Sequence, residues 1–214
     1  MTVRWDWIGE NLDEIVAATL RHLELTVIAV GVGFAMSLVL GLAIYRWRTL
    51  YGPIAGAAGL LYTIPSLALF AVLVPFTGLS IVTAEIGLVS YTLLILVRGV
   101  VSGLDGVPGD VFEAASGMGY TEPQRVVRVE LPLALPVIVT ALRLATVTTI
   151  GLVMVTALIG EGGLGQLMLR GFSRSFPTMI YVGVVVSVAL AVGLDLLLVG
   201  LLRALTPWSR ARVG

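Results

Sequence analysis

The chain has 214 residues, 58% of them hydrophobic and 12% charged, with a mean hydropathy of +1.04 and a formal net charge of zero. Soluble domains carry about twice that share of charge, so the composition is that of an integral membrane protein with a few spans. Zero net charge supplies no basic patch for nucleic acid, and the absence of cysteine excludes disulfides and thiolate metal sites. All thirteen basic residues are arginine. Without lysine no Walker A loop can form, so the chain carries no P-loop ATPase of its own. No GxSxG elbow or HExxH pair is present either. His22, the single histidine, has no second histidine or cysteine with which to hold a metal, and it reads as an interfacial residue.

Residues 1–22 are mixed in character. Trp5, Ile8, Leu12, Ile15 and Leu23 recur at helical spacings, with Asp6, Glu10, Asp13 and Glu14 between them. This predicts an N-terminal amphipathic segment at the membrane interface, with Trp5 and Trp7 as belt residues. Five apolar stretches follow, at about 23–45, 54–74, 79–101, 133–159 and 179–202, each near the ~20 residues that cross a bilayer core. The expected layout is therefore a five-span domain over 23–205 and a short tail over 206–214. Pro65 inside the second stretch frees a backbone carbonyl that a neighbouring group must satisfy. Pro75 to Gly78 predicts a tight turn. GEGGLG at 160–165 breaks the fourth helix, and 164–177 reads as a short re-entry segment or loop.

Arginine placement predicts orientation. Arg46, Arg48, Arg125, Arg128, Arg203, Arg210 and Arg212 fall on one side of five spans, and the acidic leading segment falls on the other. The positive-inside rule puts the N-terminus outside, the C-terminus in the cytoplasm and the 104–132 loop in the cytoplasm. That loop holds EAASGMGYTEPQRVVRVELPLALP, residues 113–136. Pro108 opens a helix, Gly117 and Gly119 stop it, and Thr121, Pro123 and Gln124 form the capping box of a second helix. Two short helices joined by a glycine turn and leading into a span form a lever. Ala114, Ala115 and Gly119 allow close approach of another protein, with Phe112 and Met118 as apolar anchors.

The spacing is also a family signature. Glu113-Ala114-Ala115, then Gly119, then Val129 and Leu131-Pro132 resembles the EAA loop of ABC importer permeases. RHLELTVIAV at 21–30, TIPSLALFAVLVPFTG at 63–78, VELPLALPVI at 129–138 and ALIGEGGLG at 157–165 extend the resemblance over most of the chain. They look like the permeases for quaternary-amine osmoprotectants (glycine betaine, carnitine, choline and proline betaine). The resemblance implies an all-α membrane protein with the five-helix core of a type I, methionine-permease-like importer in a bacterial plasma membrane. It implies no catalysis and no cofactor, because ATP would be bound by a partner ATPase. It assigns ATPase coupling to Glu113, Ala114, Ala115, Gly119, Leu131 and Pro132. The implied partners are cytoplasmic ABC ATPase subunits, a second permease (paralogue or identical), an extracellular substrate-binding protein and membrane lipid. Two departures are visible: Glu161 stands where a small residue is usual, and Val129 replaces isoleucine.

Charges inside spans are costly and are usually paired or functional. Arg143 and Asp195 sit at similar depths in the fourth and fifth spans and are predicted to pair, as a structural ion pair. Arg98 is expected to snorkel to the cytoplasmic face. Glu85, Glu161, Tyr62 and Tyr91 are the pathway candidates, although Glu161 reads first as a solvated loop charge. Too few aromatics lie in the spans for a tight quaternary-ammonium cage. The alternatives are a methionine-type permease and a self-contained secondary transporter. The latter needs midplane ion-coupling residues and repeats, and the sequence shows neither.

Overall fold

The computed structural model describes residues 3–207 and is helical throughout, with no strand among them. Four helices are long and apolar enough to cross a membrane: α2 (Leu12–Arg46), α5 (Ile81–Asp105), α8 (Leu131–Val155) and α10 (Pro177–Leu205). Two further helices, α3 (Tyr51–Thr63) and α4 (Ser66–Thr77), meet at 99° and together have the length and apolar character of a fifth crossing. Shorter helices complete the chain: α1 (Trp5–Glu10), α6 (Gly109–Gly117), α7 (Glu122–Arg125) and α9 (Leu164–Ser173).

The second apolar stretch is thus a broken span. Ile64 is extended (ψ 127°) because Pro65 disfavours helical geometry in the residue before it. The break leaves the Ile64 carbonyl without a helical partner, which in an apolar medium costs several kcal/mol. The Tyr91 hydroxyl from α5 donates to it. A neighbouring helix therefore satisfies the freed carbonyl, as the proline requires. Pro75 lies inside α4 instead of in the expected turn, and the chain turns at Gly78 (φ 72°).

The core is α2 against α5 and α5 against α8, brought close by small residues. A Cβ on Gly33 would stand 1.9 Å from the Thr92 hydroxyl, and one on Gly41 would stand 2.4 Å from Val100. A Cβ on Gly99 would stand 2.2 Å from the Ala141 methyl. In lipid, where no hydrophobic drive pulls apolar helices together, such close packing is what holds them. Around the contacts, Leu25, Phe70, Leu88 and Val153 bury one cluster, and Val100, Leu104, Ala134 and Ile138 another. Much of α10 is left uncovered, with Val185, Val188, Leu196 and Leu197 all exposed.

The N-terminal segment differs from a single interfacial helix. Asn11 interrupts it, its side-chain amide donating to the Trp7 carbonyl at 2.8 Å. Residues 12–22 then run into the first span without a boundary. α1 docks on the start of α10: Trp7 meets Phe176 edge-on at 5.5 Å, and the Arg4 backbone N–H donates to Thr178 Oγ1 at 3.1 Å. His22 is fully buried instead of interfacial, with Nε2 3.0 Å from the Ile150 carbonyl. The cause is the glycine loop, which lies directly on α2. A Cβ on Gly163 (φ 49°) would stand 2.7 Å from His22 N and 2.8 Å from the Ala18 carbonyl. Beyond this loop, α9 is a regular helix for most of the 164–177 segment. Of the tail, 208–214 with Arg210 and Arg212 lie outside the described residues.

Candidate functional site

The polar segment between α5 and α8 is built around two helices of different status. α6 packs against α7, closing at Gly117 and leaving through Gly119 with φ 83°. α7 is not a separate helix. After its capping box, in which the Thr121 N–H donates to Gln124 Oε1 at 3.1 Å, the chain passes through one π-helical turn, Val126–Glu130, directly into α8. Pro132 has no N–H with which to bond the Arg128 carbonyl, and the wider turn gives Leu131 N–H the Val126 carbonyl instead. The second half of the segment is therefore one rigid rod with the fourth span, 38 residues from Glu122 to Ile159.

This placement sorts the signature residues. Glu113, Ala114 and Gly119 are exposed, together with Met118 (70%) and Phe112 (39%). Ala115 is buried at 1%. Leu131 packs against the Val100–Leu104–Ala134–Ile138 cluster at the foot of α8, and Pro132 is half-buried beside it. The first group presents its side chains to another protein, and buried Ala115 acts by holding that face in place.

Arg125, which sequence reading counted only for topology, ties α6 to the rod. Its guanidinium lies 3.5 Å from the centre of the Phe112 ring, and Nη1 donates to Ser116 Oγ at 3.3 Å. Its Nε donates to Glu130 Oε1 at 2.5 Å, and Glu130 is 1% exposed. A charge so deeply buried persists when it is paired. The Tyr45 side chain at the end of α2 also faces Glu130. Two further pairs hold this end together: Arg46 Nη1 to Glu122 at 3.3 Å, and Arg48 forked on both oxygens of Asp105. The available signal was the spacing Phe112, Ser116, Arg125, Glu130. It carries meaning only once the glycine turn folds α6 back on α7.

Arg143 and Asp195 are brought together within this chain. Nε and Nη2 of Arg143 each donate to a different Asp195 oxygen at 2.8 Å, joining α8 to α10 in a bidentate fork.

The pathway candidates separate. Tyr62 lines a cleft of about 890 Å³ between α3, α5 and α8. Tyr91 lies beneath it, 7% exposed, its ring edge-on to Tyr62 at 5.7 Å and its hydroxyl bound to Ile64. Glu85 turns both carboxylate oxygens away from solvent, and neither has a hydrogen-bond partner among the described residues. Glu161 is not a solvated loop charge. Arg21 bonds it and also bonds Glu24 at 2.8 Å, and Arg170 reaches Glu14 at 2.5 Å beside them. Arg21, Glu161, Arg170 and Glu14 line a smaller cleft of about 270 Å³ between α2 and α9. Arg98 is exposed on the α5 face that lines the large cleft. No group of three or more metal-ligating side chains occurs among the described residues.

A five-crossing helical bundle with a polar helix braced to one span is the architecture of an importer's membrane component. Residues 29–211 match the family described as binding-protein-dependent transport system inner membrane component, and the chain belongs to that family. It is 40% identical over 203 residues to the osmoprotectant import permease protein OsmW of Salmonella typhimurium (strain LT2), covering 92% of this chain and 94% of that protein. It is 34% identical to the choline transport system permease protein OpuBB of Bacillus subtilis (strain 168), covering 97% and 95%. The glycine betaine/carnitine/choline permease protein OpuCB of the same organism is 33% identical, covering 94% and 93%. Among solved structures, an inward-facing MetNI methionine ABC transporter chain superposes with a TM-score of 0.83 at 25% identity, covering 92% of this chain and 98% of that one. The fold is that of a type I ABC importer permease, and the chain is a multi-pass inner-membrane component.

Proposed function

We propose that the chain is the membrane-spanning permease subunit of an ATP-driven importer of quaternary-amine osmoprotectants. The observation that carries the coupling role is α6, a helix with Glu113, Ala114 and Gly119 exposed on it and Arg125 joining it to a 38-residue rod. A separate ABC ATPase docks on that face, and its closure moves the rod as a rigid body. ATP is bound there and not by this chain, which needs no cofactor. The relatives named for osmoprotectants, choline, glycine betaine and carnitine support the substrate class.

A second permease, identical or paralogous, closes the open side of the bundle. An external binding protein delivers substrate to the end that carries α1 and α9. The α6 end faces the cytoplasm, as the arginines of 46, 48, 125 and 128 require. The N-terminus then lies outside and the C-terminus inside. The bidentate Arg143–Asp195 pair fixes α10 to the bundle and takes no part in transport.

The test is uptake of labelled glycine betaine in cells lacking their own osmoprotectant transporters, expressing this chain with its genomic neighbours. Gly119→Asp is the diagnostic variant. A Cβ at this position meets nothing within 4 Å in this chain, and aspartate carries the strain of the positive φ better than most residues. Uptake in wild type that is lost in Gly119→Asp at equal membrane level supports both substrate and docking face. Equal uptake in the two overturns the docking face. ATPase binding without betaine uptake moves the substrate class to methionine and other small solutes, the chemistry of the solved structural neighbour.

A further inference from the structure

The large cleft has one floor and two walls. α5 contributes Leu94, Ile95, Arg98, Gly99 and Ser102, and α8 contributes Pro136, Val137, Thr140, Ala141 and Leu144. Each set follows one helical face, with spacings of one, three and four. The faces converge where Gly99 meets Ala141, so the floor is made of small residues and stays open. Tyr62 closes the third side from the end of α3, at the break before Pro65.

Within this lining Arg98 is the only charged residue. It stands two turns inside α5, where a cation in lipid is expensive and calls for a partner. No hydrogen bond or ion pair engages it among the described residues, whereas the guanidiniums of Arg21, Arg48, Arg125 and Arg143 are all paired. Tyr62 holds the opposite chemistry. The residue is 39% exposed and carries an aromatic ring of the kind that attracts quaternary ammonium. No carboxylate lines the cleft to pair with a cation.

We infer that this cleft is a transit site for a zwitterion, with Arg98 taking the substrate carboxylate and Tyr62 facing its quaternary ammonium. The inference rests on the proposed function and narrows it. A betaine or carnitine brings a carboxylate to the unpaired guanidinium and is neutral overall. Choline brings a net positive charge and no carboxylate, so Arg98 repels it. Arg98 is then the residue that sets preference for zwitterions over cationic alcohols within the membrane, whatever the binding protein delivers.

The experiment compares initial uptake rates of labelled glycine betaine and labelled choline in the same cells, with ATPase co-purification and membrane level measured for each variant. Arg98→Gln lowers the betaine-to-choline rate ratio by about tenfold or more, the loss of a charge-assisted hydrogen bond. Arg98→Lys keeps the charge and recovers part of that ratio. Tyr62→Ala lowers both rates and leaves the ratio near wild type, because both substrates carry the ammonium. Where wild type carries betaine but no choline, betaine uptake kept by Arg98→Lys and lost in Arg98→Gln supports the site. Equal loss in those two overturns it. A parallel fall of both substrates in Arg98→Gln also overturns it, and places Arg98 against a second permease or a lipid phosphate. Wild-type uptake of neither substrate removes the proposed function itself, and this site falls with it.

Discussion

The two ends of the bundle solve the same problem differently. At each, a connecting segment must be held against α2 and its neighbours. At the α9 end the hold is backbone on backbone. Gly162 and Gly163 bring the loop within contact of Ala157, Ala18 and His22, and the Arg21 and Arg170 pairs sit over it. At the α6 end the hold is made by side chains, with the Arg46–Glu122 and Arg48–Asp105 pairs beside one central arginine. Arg125 spans from Phe112 and Ser116 to Glu130, and the outer face of α6 stays uncovered. The first arrangement cannot yield without clashes, because close-packed glycine contacts have no slack. The second fixes the helix by a planar, multiply bonded group and leaves a surface for docking. One end is suited to staying still and the other to being pushed.

Breaking the still end has the largest expected effect. Gly163→Val places a branched Cβ in α2 backbone at a positive φ, a combination of overpacking and strain worth about 3 kcal/mol or more. The expected outcome is loss of folded protein, read as a collapse of yield and of the melting temperature in detergent. A variant that melts like wild type refutes the account of this loop.

Breaking the brace is as costly for folding and sharper for function. Arg125→Ala leaves Glu130 buried without its cation, a cost of about 3 kcal/mol. It also frees α6 from the rod. Under the proposed function the expected outcome is retained ATPase binding with ATP hydrolysis uncoupled from uptake. Arg125→Lys falls between, because it keeps charge but loses the flat stack on Phe112. Unchanged coupling in Arg125→Ala removes the brace from the mechanism.

The smallest effect is expected at Glu161→Gln. It removes the Arg21 pair at the still end, but the glycine contacts remain and Arg21 keeps Glu24. A partly exposed pair of this kind contributes about 1 kcal/mol at most, so a shift of a few degrees in melting temperature and little change in uptake are expected. A large loss of uptake would make Glu161 a pathway residue after all.

Much of this was legible from the order of residues alone. Apolar runs of span length, helix stops at Gly117, Gly119 and Gly160, the capping box at Thr121 and the complementary depths of Arg143 and Asp195 are all local or one-dimensional facts. They depend on rise per residue and on backbone propensity, which the chain carries wherever it folds. The side toward which a residue points at a break or a turn is decided by its neighbours. Pro65 announced a freed carbonyl within the second span, but that the helix breaks there and that Tyr91 takes the carbonyl depend on how α5 packs against α3. His22 and Ala115 sit in segments that read as surface and are buried because the glycine loop and α7 lie on them. Arg98 read as a snorkelling cation because its distance from the helix end allows it. Only the converging faces of α5 and α8 turn it toward a cleft with Tyr62. Sequence determined which groups this membrane protein has and at what depth. Tertiary structure decided which of them are partnered, because pairing is a matter of distances between helices that no spacing within one helix encodes.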